Sequence, residues 1–548
     1  MRTLLFLSFL LLLPNGLFPQ KLSNGQYWIS LADKEGNDYT LSNPSAFLSE
    51  RSLERRARQN INLTQEDLPV SKIYLDSLEN LGLTILGSSR WFNAVIIESY
   101  DTLLLDTLDH FSFVSEFHFK IPRKKTVPEI SFSKRTDFPL KNQEQFNLDY
   151  GLSYPQIAFL NGTSLHEMGY MGSDIRIAVI DGGFNSADSI AAFDSLWKEG
   201  RLLGYRDFSR SGTEFFQTHS HGMSVLSTMA ANIPGVIIGT APKASYYLLK
   251  SEIVESETPL EEAFWVLAAE YADSAGADII NSSLGYSEFD DPELSYTYDD
   301  MDGKTALVTR AAEKAFSKGM VVVISAGNEG NKPWKYITAP SDGPNVLCIG
   351  ASDTAGIIAA YSSRGPSSDQ RTKPDILAVG YQAMVVNSLG SISPGYGTSF
   401  SAPQIAGMIA CLWEAAPEKT NIEIIRSIRK SASLYYNPND SAGYGIPDFF
   451  TALYLLKMQV PVNMANRLSI VPNPNYGIFE IRSDLFSGTD TKITIYNLPG
   501  KSIYTGIKTF DSGYARISEM NGQSAGMYFV VAESEGKKYF TNLMILKR

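Results

Sequence analysis

Three short segments carry the residue types that nucleophilic acyl transfer needs: an acid in IAVIDGGF at Asp181, a base in HSHGMS at His221 and a hydroxyl in GTSFSAP at Ser399. A serine hydroxyl is a weak nucleophile until an imidazole takes its proton, and the imidazole works best when a carboxylate fixes its tautomer. Asp181 closes the apolar run Ile177 to Ile180 and precedes Gly182 and Gly183, which let the backbone turn sharply. Alone, such an Asp reads as a turn or helix cap. His221 stands on Gly222 and the helix-like run MSVLSTMAA, with apolar Val225, Leu226 and Met229. His219 is its rival; His221 is preferred because the glycine and helix start fix its ring, whereas His219 falls in the preceding loop.

Ser399 lies in GTSFSAPQIAG, where Gly397 permits close approach of a substrate and a helix runs on through Ile405, Met408, Ile409 and Leu412. Pro403 is tolerable in a first turn. The helix start aims its partial positive charge at the serine, which favours a developing oxyanion. Ser401 takes the place of the second glycine of a G-x-S-x-G elbow, which argues against an α/β-hydrolase. On these grounds both Ser399 and Ser401 stay open as the nucleophile.

The elements that hold these segments follow from the hydrophobic pattern. From about residue 149 to 460, apolar runs (IRIAVI, YYLLK, DIINSS, VVVISA, VLCIG, DILAV) alternate with amphipathic helices such as Leu260 to Ala275 and Thr305 to Lys318. Continuous apolar strands with intervening helices predict an α/β fold: a parallel sheet with helices on both faces, whose ligands bind beyond the carboxyl ends of its strands. All three motif residues fall at such ends or at the helix starts that follow. Before this region, residues 21–148 read as a small α+β domain followed by a polar processing linker, with a basic helix-like run from Arg51 to Arg58 that is expected to be a solvated face. After it, residues 468–548 lose helical periodicity and alternate in short runs (IFEIRS, KITIYN, MYFVVAES) as a small β-sandwich does.

The chain has 548 residues, enough for about three domains. Its formal charge of −12 argues against a nucleic-acid binder, whose footprint is a basic stripe, and suits a polypeptide substrate. Residues 1–20 carry Arg2 and an apolar run from Leu4 to Leu13, too short to span a membrane and suited to a secretory signal; no integral span is expected once it is removed. Cys348 and Cys411, each inside an apolar run, are expected to be buried free thiols.

The region 149–460 resembles the subtilisin-like serine proteases (subtilases). Besides the three segments in the order Asp, His, Ser, the resemblance rests on NSSLG (Asn281 to Gly285), SAGNEG (Ser325 to Gly330), YSSRGP (Tyr361 to Pro366), KPDILAVG and GYGIPD. It selects Ser399 as nucleophile and implies His221 as base, Asp181 as its orienter and Asn328 as side-chain oxyanion donor. It also implies that Ser283, Leu284 and Gly285 form a strand edge that pairs with an extended substrate backbone, with Glu329 at the rim of the specificity pocket. Two departures stand out: Gly182 where the family often has Ser or Thr, and Ser224 where it often has a second His. Neither position transfers protons.

The same resemblance makes residues 21–148 an inhibitory propeptide, so that the enzyme is a zymogen and its own propeptide a partner. The C-terminal piece, with VPNPNYGIFEI, YNLPGK and SAGMYFVV, resembles the type IX secretion sorting domain of Bacteroidota. That implies the type IX machinery as a partner and export through the periplasm of a Gram-negative bacterium to the surface or medium. The chemistry requires no cofactor. The acids Asp290, Asp291, Glu293, Asp299, Asp300 and Asp302 make structural calcium conceivable but fit no EF-hand, and a solvated loop is expected. The main alternatives are a catalytically silent surface binding protein on the same fold and an esterase or amidase using the same triad.

Overall fold

The computed structural model describes residues 21–116, 148–457 and 468–545, apart from positions 24, 211, 474, 484, 487, 498–501, 525 and 535–536. The secretory segment and the linker before residue 148 lie outside the described residues. The chain divides into two compact units, the larger holding most of the chain up to Ala452 and the smaller holding the C-terminal residues.

The larger unit begins with an antiparallel sheet, β1 (Lys21–Ser23), β2 (Gln26–Leu31), β3 (Thr84–Ser89), β4 (Ala94–Glu98) and β5 (Val114–Glu116), with helices α1 (Glu50–Arg58) and α2 (Lys72–Asn80). Its core is Ile29, Leu31, Leu78, Leu83, Val95 and Ile97, supplied by alternate strand positions and one helix. This is the expected α+β domain.

The central sheet contains β6 (Arg176–Asp181), β7 (Leu202–Asp207), β8 (Ser245–Lys250), β9 (Ile279–Ser282), β10 (Val321–Ser325), β11 (Leu347–Ser352) and β12 (Ile376–Val379). Its order is β12-β11-β10-β9-β6-β8-β7 and every pairing is parallel. β6 is flanked by β8 on one side and β9 on the other, so the winding reverses there and opens a crevice at the carboxyl ends of these strands. β9 to β12 are buried throughout their length and β6 and β8 at every residue but the first, so they read as mainly apolar runs; β7 is an edge strand, LLGYRD, exposed at Leu203, Tyr205 and Arg206, and its polar, glycine-containing sequence hides it from a search for such runs.

The helices that cover the sheet start and stop on local chemistry. α3 (His221–Ala230) carries the histidine at its first residue. α4 (Pro259–Ala275) has Pro259 at its first position, a backbone N–H of Thr258 donated to Glu261 at 2.8 Å, and a left-handed Gly276 at its end. α5 (Leu307–Ser317) precedes β10, and the long α6 (Thr398–Ala415) follows the hairpin β13 (Tyr381–Val386) and β14 (Ile392–Tyr396).

The basic run of α1 does not form a solvated face. Arg55 and Arg56 are 0% and 2% exposed and reach Asp273 of α4, Arg56 at 2.9 Å and Arg55 at closer range. Arg90 meets the same carboxylate, and Arg56 and Lys318 both pair with Asp67 at 3.1 Å. Glu270, one turn before Asp273, accepts from Ser89 Oγ and from the backbone N–H groups of Arg90 and Trp91. The expectation failed because every α4 partner lies more than 170 residues along the chain. Four guanidinium groups in one short stretch look like solvent surface until the fold brings their carboxylates over.

The smaller unit contains two antiparallel sheets, one of three strands (Ser469–Val471, Phe479–Arg482, Tyr514–Ile517) and one of four (Asp490–Asn497, Ser502–Thr509, Gly526–Ser534, Lys537–Ile545). They share a core of Phe479, Ile481, Ile493, Ile495, Val530 and Leu543. No helix among the described residues is long and apolar enough to cross a membrane.

Candidate active site

Asp181 is the last residue of β6 and fully buried. Its Oδ1 accepts from the N–H of Gly182 and from Nδ1 of His221, both at 2.7 Å. An ionised carboxylate only accepts, so the His221 proton sits on Nδ1 and Nε2 keeps its lone pair for a substrate proton. The close approach of helix to strand depends on Gly222: a Cβ there would lie 2.6 Å from the Gly183 carbonyl oxygen and 2.8 Å from the Asp181 Cβ. Burial disfavours the imidazolium of His221, but the charge and hydrogen bond of Asp181, with the charge of Glu252 added, raise its pKa above the ordinary value. His219 takes a different part. Its ring lies 6.4 Å from that of His221, its Nδ1 accepts the His221 backbone N–H at 3.3 Å, and burial together with His221 lowers its pKa.

Ser399 is the second residue of α6, and the ring of the next residue, Phe400, lies 6.0 Å from that of His221. In this geometry Ser399 Oγ donates to the Ser283 carbonyl oxygen at 3.4 Å rather than to His221. Ser401 is fully buried and donates to the Ala378 carbonyl at 3.3 Å, so it ties the helix to the sheet. Pro403 is the sixth residue of the helix, beyond the first turn where it was expected. A proline there cannot donate to the carbonyl four residues back, which is that of Ser399. Ser283 Oγ donates to that carbonyl instead, at 2.8 Å. The Ser399 carbonyl is therefore held by the residue that follows β9.

Asn328 lies just past β10. Its Oδ1 accepts from the N–H of Thr398 at 2.9 Å and from Thr398 Oγ1 at 3.1 Å, and Thr398 Oγ1 also accepts the Gly327 N–H at 3.2 Å. With the amide oxygen so engaged, Nδ2 is the free end; among the described residues nothing occupies it or the backbone N–H of Ser399. Gly397, at φ 145°, makes the turn into the helix, and its N–H donates to Tyr361 Oη at 3.0 Å while that hydroxyl donates to the Gly380 carbonyl at 2.7 Å. Two free N–H donors beside a serine hydroxyl at a helix start are an arrangement able to receive an oxyanion. Thr398 and Tyr361 stand inside the quoted motifs, but only the fold reveals what their hydroxyls hold.

The segment Ser283 to Gly285 departs from the expected strand edge in one respect. β9 is a central strand, paired with β6 and β10 up to Ser282. The open backbone begins past it: among the described residues no hydrogen bond uses the backbone groups of Leu284 or Gly285, and the next residue, Tyr286, is paired with Ala339. Leu284 is half-buried and Gly285 exposed, which leaves a short extended stretch open to an added strand. Glu329 is paired with Lys332 at 2.9 Å. Ser224, in the place of a second histidine, donates to the Val386 carbonyl of the hairpin at 2.8 Å.

Several acids of the 288–302 loop cap local backbone: Asp290 accepts the N–H of Glu257, Asp291 that of Glu293, Asp300 that of Thr297, and Asp302 those of Lys304 and Thr305. Cys348 and Cys411 are buried free thiols, both with pKa values pushed up by burial, Cys348 to about 12.

Comparison with known proteins places these features. The profile of the Subtilase family matches residues 172–445, that of the Peptidase S8 propeptide domain of Bacteroidota matches residues 26–136, and that of the Secretion system C-terminal sorting domain matches residues 469–546. Subtilisin E of Bacillus subtilis (strain 168) is 31% identical over 295 residues, which cover 53% of this chain and 68% of that protein. Subtilisin of Bacillus pumilus is 30% identical over 305 residues, 55% of this chain and 96% of that protein. Among solved structures, the Prenylagaramide maturation protease PagA aligns over 54% of this chain and 98% of its own with a TM-score of 0.43 and 21% identity.

Proposed function

The chain belongs to the subtilase family and is a subtilisin-like serine endopeptidase, and from that premise we propose that Asp181, His221, Ser399 and Asn328 carry its chemistry. Ser399 Oγ attacks the scissile carbonyl carbon while His221 Nε2 takes its proton. The carbonyl oxygen becomes an oxyanion received by Asn328 Nδ2 and the Ser399 N–H. Collapse of the tetrahedral intermediate expels the amine, which takes the proton from Nε2, and water then repeats the sequence on the acyl-enzyme. Asp181 holds the Nδ1–H tautomer and stabilises the imidazolium. The observation that carries this reading is the 2.7 Å bond from His221 to Asp181 beside a helix start whose Ser399 N–H and Asn328 Nδ2 donate to no acceptor among the described residues. No cofactor takes part.

Polypeptides bind as an added strand along Ser283, Leu284 and Gly285, where the unpaired backbone of the last two favours extended peptides over compact esters. The protein carries a Bacteroidota-type propeptide domain and a secretion sorting domain, which imply secretion or surface attachment. In our reading the propeptide inhibits the precursor until self-cleavage before Asp149 releases it, and export runs through the periplasm by the type IX machinery. The test is casein digestion by the matured enzyme beside its Ser399→Ala variant. The parent is expected to digest casein, and the variant to be inert and to accumulate unprocessed precursor. Casein resistance combined with rapid cleavage of small esters would overturn the peptidase assignment.

A further inference from the structure

A second buried carboxyl group stands behind the catalytic pair. β8 runs beside β6 with Lys250 in register with Asp181, and the chain leaves the strand with the Ser251 N–H donated to the Asp181 carbonyl at 3.2 Å. The next residue is Glu252, only 9% exposed. Its Oε1 accepts from Tyr286 Oη at 2.7 Å and from Ser251 Oγ at 2.8 Å. Tyr286 is itself 1% exposed, so the carboxyl is held from two sides. Gly182, the residue after Asp181, packs against Glu252: a Cβ built on that glycine would lie 3.7 Å from both Cβ and Cγ of Glu252.

The Asp181 side has an opening of its own. Its Oδ2 is buried and has no hydrogen-bond partner, while Oδ1 takes both the Gly182 N–H and His221. A carboxylate with one oxygen unanswered, in a site of low effective dielectric, leaves the imidazole sensitive to any further charge nearby. We propose that Glu252 is a positioning residue of the reaction: its carboxylate, fixed by Tyr286 and Ser251 behind Asp181, supplies a second negative charge to the environment of the His221 imidazole. Glu252 touches neither the substrate nor the reacting atoms. It acts through the stability of the imidazolium.

The charged and titratable groups facing Glu252 come from five directions: Asp181 at the end of β6, Lys250 at the end of β8, His221 at the start of α3, Tyr286 past β9, and Glu257 and Glu261 at the approach to α4. Lys250 is partly diverted, since it also faces Asp207 at 3.5 Å. Glu261 accepts the N–H groups of Ile253 and Thr258, both at 2.8 Å, and burial with its acidic neighbours pushes it up to about 10. Burial, with the charge of Asp181 added and the bonds from Tyr286 and Ser251 and the charge of Lys250 opposing, pushes Glu252 up to about 7. Glu252 therefore gains and loses its charge near neutral pH. An anionic Glu252 favours the imidazolium, and an imidazolium favours an anionic Glu252.

The sign of the consequence is fixed. His221 must be neutral to accept the serine proton, so a charge that raises its pKa moves the acid limb of the pH profile upward. Removing that charge moves the limb down. This inference rests on the triad reading above, and its test uses enzyme matured from the full-length chain, with kcat/KM on a chromogenic peptide amide followed from pH 5 to 9. Glu252→Gln keeps the acceptor oxygen for Tyr286 and Ser251 and loses only the charge. Its acid limb is expected to fall by about half a pH unit, so that at the parent's midpoint it retains about 1.5 times as much of its plateau activity as the parent. Glu252→Asp, which keeps the charge, is expected to hold the limb near the parent's position. Should Glu252→Gln fail to mature, Tyr286→Phe serves instead: without its hydrogen bond Glu252 stays neutral over a wider range, and the limb shifts the same way by less. A merely structural glutamate would change plateau activity and leave the limb in place. Superimposable acid limbs in parent and variant would overturn the proposal, whereas a parent whose activity survives Ser399→Ala would instead overturn the triad reading on which it rests.

Discussion

Asp273, where the N-terminal domain docks, and Asp181, behind the catalytic histidine, are both fully buried carboxylates, and they differ in how completely their charge is answered. Asp273 receives Arg55 on one oxygen and Arg56 and Arg90 on the other. Burial opposes its ionisation, but the three guanidinium groups hold its pKa at about 2. Among the described residues, Asp181 is hydrogen-bonded to one titratable group, His221, and has one oxygen with no hydrogen-bond partner. A carboxylate enclosed by fixed cations is a fastener whose charge does not change in any ordinary medium. One left partly unanswered gives its full effect to the one group that must gain and lose a proton. The first arrangement suits a contact that has to persist until a peptide bond is cut, and the second suits turnover.

The two carboxylates are separated by changing each to its amide. Asp181→Asn keeps the shape but loses the charge and favours the wrong imidazole tautomer, so once its propeptide is removed by added parent enzyme its kcat is expected to be about 10⁴-fold lower, with the fold intact by circular dichroism; losses of this order are those measured in serine proteases, subtilisin among them. Asp273→Asn should leave the active site alone. Introduced beside Ser399→Ala so that the N-terminal domain stays attached, it leaves three buried guanidinium groups short of a counter-charge, at a cost of about 3–5 kcal/mol. Amides of residues 26–116 should then exchange with solvent about 10² to 10³ times faster while those of the central sheet are unchanged. The acid response separates the regions further. A carboxylate whose pKa is depressed stabilises the contact above the free group's value and loses that contribution only as pH falls toward 2. His221, with a raised pKa, is protonated and inactive well before that, so at pH 5 the precursor should remain docked while the matured enzyme has lost its activity.

Much of the catalytic constellation was legible before any fold was known. Asp181, His221 and Ser399 stand at ends of apolar runs or starts of helices, and local pattern is enough to place such positions in a parallel sheet. The choice between Ser399 and Ser401 was not local: it took the family resemblance to make it, and the sheet to account for Ser401 through its bond to Ala378. What escaped notice depends on distance along the chain. Arg55 and Arg56 read as solvent-facing because Asp273 is over 200 residues away. Pro403 seemed harmless because the carbonyl it frees, that of Ser399, is satisfied by Ser283, the residue that follows β9. Glu252 sits in KSEIVESE, which reads as a charged loop, and only the register of Lys250 with Asp181 reveals that it lies behind the catalytic pair. The edge strand Leu202–Asp207 was missed for the complementary reason: its exposed residues interrupt the apolar run that marks its buried neighbours.

The central claim is that one particular hydroxyl, that of Ser399, is made nucleophilic by the His221–Asp181 pair. The most direct measurement is to treat the matured protein with a fluorophosphonate and locate the adduct by peptide mass spectrometry. A single stoichiometric adduct on Ser399, absent from the Ser399→Ala variant and suppressed in His221→Ala, is the predicted result. An adduct on Ser401, or a matured protein that takes up no label, would contradict the account.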